Sequence, residues 1–168
     1  MSIAQSLLPE FDHETAVTRT LLERVPDDKA GWAPHPKSMA LGRLAMHLAT
    51  LPDWTARTLR EDQFDVAPDG KPALPTPVFQ STAQTLEIFT QSVARARGVI
   101  AATDDLEMGK PWTMKRAGEK MFTMPRGAVL RSLVFNHSIH HRAQLGVYLR
   151  LLDIPVPPSY GPTADTRA

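Results

Sequence analysis

Arg126-Gly-Ala-Val-Leu-Arg-Ser-Leu-Val-Phe-Asn-His137-Ser-Ile-His140-His141-Arg-Ala-Gln144-Leu-Gly-Val-Tyr-Leu-Arg-Leu-Leu152 is the stretch whose reading decides the fold. It holds no proline after Pro125, which stands where a helix would begin. Leu130, Leu133, Val134, Leu145, Tyr148, Leu151 and Leu152 recur at the three-and-four spacing of an amphipathic helix, which predicts one helix over 126–152. The same face runs through His137, His141 and Gln144. His137 and His141 are four apart, one turn from each other on a single side. Imidazoles in the middle of a buried stripe are costly unless something satisfies them, and a metal ion would do so. His140 falls near the edge of the stripe.

Outward from this helix the chain reads as three more. A first helix is expected from Pro9 to Val25, on the stripe Phe11, Thr15, Thr18, Leu22, and His13 lies off that stripe. A loop over 26–37 follows, with Trp32 anchored on the core and His35 solvated. Ser38 is a good N-cap for a second helix reaching Glu61, whose inner face is Leu44, His47, Leu48, Leu51 and Trp54. Pro52 inside it removes a backbone hydrogen bond and predicts a kink. Residues 62–80 hold Pro68, Gly70, Pro72, Pro75 and Pro77 and read as a long crossover loop without regular structure. Ser81 caps a third helix to Ala102, 103–110 is a connector, and 112–124 is a hairpin turning at Ala117-Gly118. Residues 155–168 form an irregular tail. The expected class is all-α: a four-helix bundle with a long crossover loop and a small β-hairpin before the last helix.

The far side of the last helix is apolar too, with Phe135, Ile139, Ala143, Gly146 and Leu149, flanked by Arg131 and Arg142 as a polar rim. A helix apolar on both sides needs partners on both sides. A homodimer packed through this helix is the expectation; cover by the 62–80 loop or the hairpin is the alternative.

With 168 residues and 42% hydrophobic content, the chain suits one domain over 1–168 with a sizeable core. Lys and Arg number 19 against 18 Asp and Glu, without a basic run, so nucleic acid is not an expected partner. The absence of cysteine removes disulfides, thiolate ligands and Cys nucleophiles together, and fits a reducing compartment. Met1 to Leu8 lacks the apolar core of a signal peptide, and no apolar run approaches membrane-spanning length. A cytoplasmic protein with no membrane partner is expected.

His137 and His141 offer two imidazoles from one helix, and His47 a third from another. With a water in the remaining position, three neutral imidazoles make an open, catalytic-type site. The set suits Zn, Ni, Cu or Fe; no carboxylate shares these faces, which disfavours Mg and Ca. Gln144, one turn beyond His141, would hold a ligand or the bound water in place. Beside this stands the ordinary reading, in which a half-buried neutral histidine bonds a carbonyl and the spacing of four is chance. Trp54 and Tyr148 read as core rather than substrate contacts. No general base can be named; His140 is the nearest candidate.

His47, then His137-x-x-His140-His141-Arg142-x-Gln144-Leu145 with Tyr148-Leu149-Arg150 behind it, resembles the DinB-like superfamily. The Trp32-x-Pro34 and Ser38 segment and the closing Pro157-Pro158-Ser159-Tyr160-Gly161 fit as well, so the resemblance covers nearly the whole chain. It implies a four-helix bundle, commonly dimeric, with a divalent metal on three histidines. Matched by position these are His47, His137 and His141, holding Zn or Ni first, with Fe, Cu or Mn as alternatives. Relatives include thiol-dependent S-transferases and a maleylpyruvate isomerase, which work with low-molecular-weight thiols. The resemblance therefore implies a metal-dependent transferase, isomerase or hydrolase acting on a small molecule, the metal activating a thiol or water. No residue here identifies a thiol pocket. The competing expectation is a non-catalytic dimeric bundle whose metal or histidines are structural.

Overall fold

The computed structural model describes residues 2–74 and 77–166. Pro75 of the crossover loop and the last two tail residues, 167 and 168, lie outside them. The first helix, α1 (Ile3–Leu22), begins earlier than Pro9 and ends at Leu22 rather than Val25. Its start is a capping box: Gln5 N–H donates to the Ser2 hydroxyl at 3.1 Å, and Ser2 N–H donates to Gln5 Oε1 at 2.8 Å. These bonds satisfy two of the amides that a helix start leaves orphaned. Pro9 consequently sits inside the helix.

The expected second helix is broken at Pro52 into α2 (Leu41–Thr50), a 3-10 turn (Leu51–Asp53) and α3 (Trp54–Arg60). Ser38 does not cap α2. The amides of Leu41 and Gly42 instead donate to the carbonyls of Trp32 and Ala30 at 2.8 and 2.9 Å, so the preceding loop serves as the cap. Trp32 is thereby held edge-on against Tyr148, with ring centroids 5.6 Å apart.

The crossover segment is not wholly irregular. Residues β1 (Gln63–Asp65) pair in parallel with β2 (Pro111–Arg116), which pairs antiparallel with β3 (Glu119–Pro125). The hairpin therefore supplies two strands of a three-stranded sheet, order β1-β2-β3. Asp65 secures the addition by accepting from the backbone amides of Ala67, Ala117 and Gly118 at 2.9, 3.1 and 2.7 Å. Ala117 and Gly118 both have positive φ, 49° and 81°, as a tight two-residue hairpin turn demands. Helix α4 (Thr82–Ala101) starts from Ser81, whose hydroxyl accepts from Gln84 N–H. The expected connector contains a short helix, α5 (Asp105–Gly109), capped by Asp104.

The last helical run is continuous but changes winding, through α6 (Arg126–Val129), a π-helical segment (Leu130–Asn136) and α7 (His137–Leu151). Helix α1 packs on α4 and α7, and α2 packs on the same two, so the core lies among these elements. Trp112 is fully buried under the sheet and donates from Nε1 to the Arg57 carbonyl at 3.2 Å.

The far side of the last helical run faces α1 in the same chain. Phe135 packs edge-on against Phe11 with centroids 5.8 Å apart, and Leu149 is fully buried. Leu21 and Val156 lie 3.6 and 3.7 Å from where a side chain on Gly146 would begin, ordinary van der Waals contact, so α1 and the tail pack directly against this position. Arg142, expected on a polar rim, is only 2% exposed. Its Nη1 lies 2.7 Å from Glu14 Oε2, and its Nη2 donates to the Tyr160 hydroxyl. Among the described residues this cover comes from α1 and the tail, with α4 joining at Phe135, rather than from the 62–80 loop or the hairpin. Of the expected dimer band, Ile139 stays half-buried and Ala143 exposed.

Candidate metal centre

Two elements build the cluster. Leu44 and Leu48 in α2 and Leu51 just beyond it are buried to 1% or less, which pins the face carrying His47 toward α7. In α7, Leu145 and Tyr148 do the same for His137 and His141. The π-helical segment ends immediately before His137, whose backbone N–H bonds the Val134 carbonyl. Such departures from α-winding often mark functional positions.

The three imidazoles converge through their Nε2 atoms. His47 Nε2 lies 3.4 Å from His137 Nε2, which lies 2.8 Å from His141 Nε2. All three ligand atoms fall within 4.8 Å of one another. Tetrahedral bonds of about 2.0–2.1 Å put ligand nitrogens roughly 3.3–3.4 Å apart, so the longer contact already matches a shared ion. The shorter one has hydrogen-bond length, and a proton or a cation between the two nitrogens satisfies both.

Gln144 Oε1 accepts from His141 Nδ1 at 2.7 Å. That bond keeps the proton on Nδ1 and leaves the Nε2 lone pair facing the cluster, the tautomer that ligation needs. Desolvation is the largest cause lowering the proton affinity of all three rings. His47 is held at about 4 by its burial, then by His141, His137 and Arg43. For His137, contact with the Leu133 carbonyl pulls the other way without reversing the shift. Near neutral pH the rings are therefore uncharged, as ligands must be. Acid competition for a metal begins below the ordinary value of 6.5, because burial has already disfavoured the protonated rings.

A neutral, nitrogen-only donor set with its tautomer fixed by a neighbouring amide fits a transition-metal ion. No carboxylate joins the cluster among the described residues. A cavity of about 390 Å³ opens beside it, lined by His47, Thr50, Asp53, Trp54, Arg57, Leu74 and Pro77. Trp54, expected in the core, is half-buried and lines this cavity while packing edge-on against Phe64 at 5.4 Å. Tyr148 is a core residue as expected, donating to the Met39 carbonyl at 3.2 Å. His140 is exposed; its ring lies 4.9 Å from that of His141 but it is not one of the three converging ligands. His13 and His35 are exposed and distant in role, His35 accepting from Lys37 N–H.

Fold and site together define a helix-rich protein with a small three-stranded sheet and three histidines close enough for a metal. The chain belongs to the DinB family, whose model matches residues 1–167. A DinB-like protein from Bacillus subtilis superposes with a TM-score of 0.70 at 19% identity, covering 92% of this chain and 96% of that one. A DinB-like protein from Bacillus cereus ATCC 10987 gives 0.70 at 23% identity, over 93% and 97%. At these identities the likeness is one of fold. No curated protein matches. No described helix is long and apolar enough to cross a membrane.

Proposed function

We propose that His47, His137 and His141 hold one divalent transition metal, and that the protein is a metal-dependent enzyme of small-molecule chemistry. The reaction is a transfer, isomerisation or hydrolysis, with a low-molecular-weight thiol or water as nucleophile. One observation carries the reading: three imidazole nitrogens converge beside a cavity with room for a small molecule. When bound, a divalent ion supplies Lewis-acid polarisation and lowers the pKa of a coordinated thiol or water. The chain's own residues prepare that chemistry. Burial keeps the rings neutral, Gln144 orients His141, and the half-buried face of His47 meets the cavity. Zn and Ni suit the imidazole set first, with Fe, Cu or Mn as alternatives.

The competing reading, a non-catalytic bundle, is favoured by the direct 2.8 Å contact between His137 and His141. A homodimer would use the exposed strip Ala143, Val147 and Leu151 of α7, because Phe135 and Leu149 are already buried within the chain. The deciding experiment is elemental analysis of protein purified without added metal, followed by thiol-transfer assays against small electrophiles. One metal per chain with thiol turnover that His137→Ala abolishes supports the enzyme. Tightly held metal with no turnover of any thiol or ester supports the structural role.

A further inference from the structure

The cavity beside His47 has a charge pattern that the metal reading does not use. Arg43, His47, Thr50, Trp54 and Arg57 follow one another at spacings of four, three, four and three, a single stripe down α2 and α3. His47, Thr50, Trp54 and Arg57 line the cavity of about 390 Å³. Arg43 lines a neighbouring cavity of about 530 Å³, and Leu74 and Pro77 wall both. Two guanidinium groups therefore flank the histidine along one trough.

The acids near this trough do not cancel those charges. Asp53, the carboxylate of the cavity wall, is taken by Arg95 in a two-pronged pair, Nε to Oδ1 at 3.0 Å and Nη2 to Oδ2 at 3.1 Å. Among the described residues Arg57 has only Glu61 as an ion-pair partner, at 3.5 Å, with both side chains substantially exposed. A surface pair of that length contributes little and yields readily to a better acceptor. The Arg57 guanidinium is nonetheless held in place, its carbon stacked 4.6 Å over the Phe64 ring. Arg43 makes no ion pair among the described residues, and its charge is felt at His47, whose proton affinity it helps to lower. Three neutral imidazoles would add no negative charge to offset a bound cation. The trough is thus positive, with an indole and two aliphatic side chains for walls.

We infer that this cavity binds a small molecule bearing a carboxylate, which Arg57 takes while Trp54 and Leu74 cover its apolar body. A planar guanidinium matches a carboxylate with two parallel hydrogen bonds, and a single weakly committed arginine balances a single negative charge. The inference rests on the metal reading for the orientation of the molecule, whose far end then faces His47. The carboxylate contact itself needs no metal.

The test uses a matched set of probes: 3-phenylpropanoate, 3-phenylpropan-1-ol, 3-phenylpropylamine and phenyl phosphate, titrated into zinc-loaded and into EDTA-treated protein. Binding is read by calorimetry and by the Trp54 indole resonance. The carboxylate should bind about tenfold more tightly than the alcohol, the usual worth of a charge-assisted hydrogen bond, and the amine least. Arg57→Gln should level acid and alcohol, Arg57→Lys should recover part of the preference, and Glu61→Gln should keep it. Equal binding of acid and alcohol by wild type overturns the inference. So does an undiminished preference in Arg57→Gln, which would seat the carboxylate on the metal. Tighter binding of phenyl phosphate than of the acid overturns the carboxylate assignment. Two independent readouts separate the readings. A preference retained after EDTA treatment supports Arg57, whereas failure of the stripped protein to take zinc back up counts against the proposed enzyme alone; zinc uptake with no preference for the acid in either arm overturns the carboxylate inference alone.

Discussion

Acidifying the metal-free protein should destabilise it through His47 before any carboxylate is involved. In the unfolded chain that ring takes a proton near 6.5, whereas in the folded protein it does so only at about 4. Between those values the unfolded state binds more protons, so stability rises with pH across the window and is lost as pH falls through it. The gap, 6.5 − 4 = 2.5 units, converts at about 1.36 kcal/mol per unit to about 3.4 kcal/mol. Partial solvent access and coupling to its histidine neighbours reduce the expected loss to about 2 kcal/mol. His137 and His141 shift in the same direction and add to the slope. Depressed carboxylates act lower down: Asp165, at about 2 through its bonds to Arg150 and Val156 N–H, loses its contribution only below the ordinary 3.8. The assay is urea unfolding of EDTA-treated protein at pH steps from about 7.5 to 4, alongside His47→Gln, which should show a shallower dependence. A wild-type midpoint that stays flat over this window refutes the reasoning. So does a His47→Gln variant with the wild-type slope.

Glu14→Gln should cost about 3–5 kcal/mol in urea unfolding, because it strands the charge of Arg142, whose side chain is 3% exposed. Cutting back Arg142 and Glu14 together to apolar residues should cost less than the sum of the single changes. His140→Ala should leave metal content unchanged in elemental analysis, since that ring is exposed outside the cluster. Gln144→Leu removes the acceptor from His141 Nδ1 and should weaken zinc affinity about 10–100-fold in a competition titration, with melting temperature of the metal-free protein much less affected.

The histidine cluster was legible because its members interrupt strongly apolar stripes. His47 falls between Leu44, Leu48 and Leu51, and His137 and His141 between Val134 and Leu145, so helical periodicity alone aimed all three inward. Strand β1 was not legible. Its three residues, Gln63, Phe64 and Asp65, are too few to show alternation, and their partners Thr113 to Lys115 lie far along the chain. Arg142 looked like a rim residue for a similar reason, since its partner Glu14 is 128 positions away and nothing local announces it. The π-helical turns before His137 carry no proline or glycine and arise from packing rather than propensity. The early start of α1, by contrast, was readable: Ser2-Ile3-Ala4-Gln5 is a capping box, a stronger start signal than Pro9. Helix α1 also supplied the cover for Phe135 and Leu149, a pairing that the pattern of one helix cannot specify.

An X-ray absorption spectrum of the protein loaded with one equivalent of zinc bears most directly on the three-histidine centre. The zinc shell should contain three imidazole nitrogens at about 2.0–2.1 Å, reduced by one when His137 is replaced by Ala. An oxygen-only shell, or a wild-type spectrum retained in His137→Ala, would contradict the three-histidine assignment.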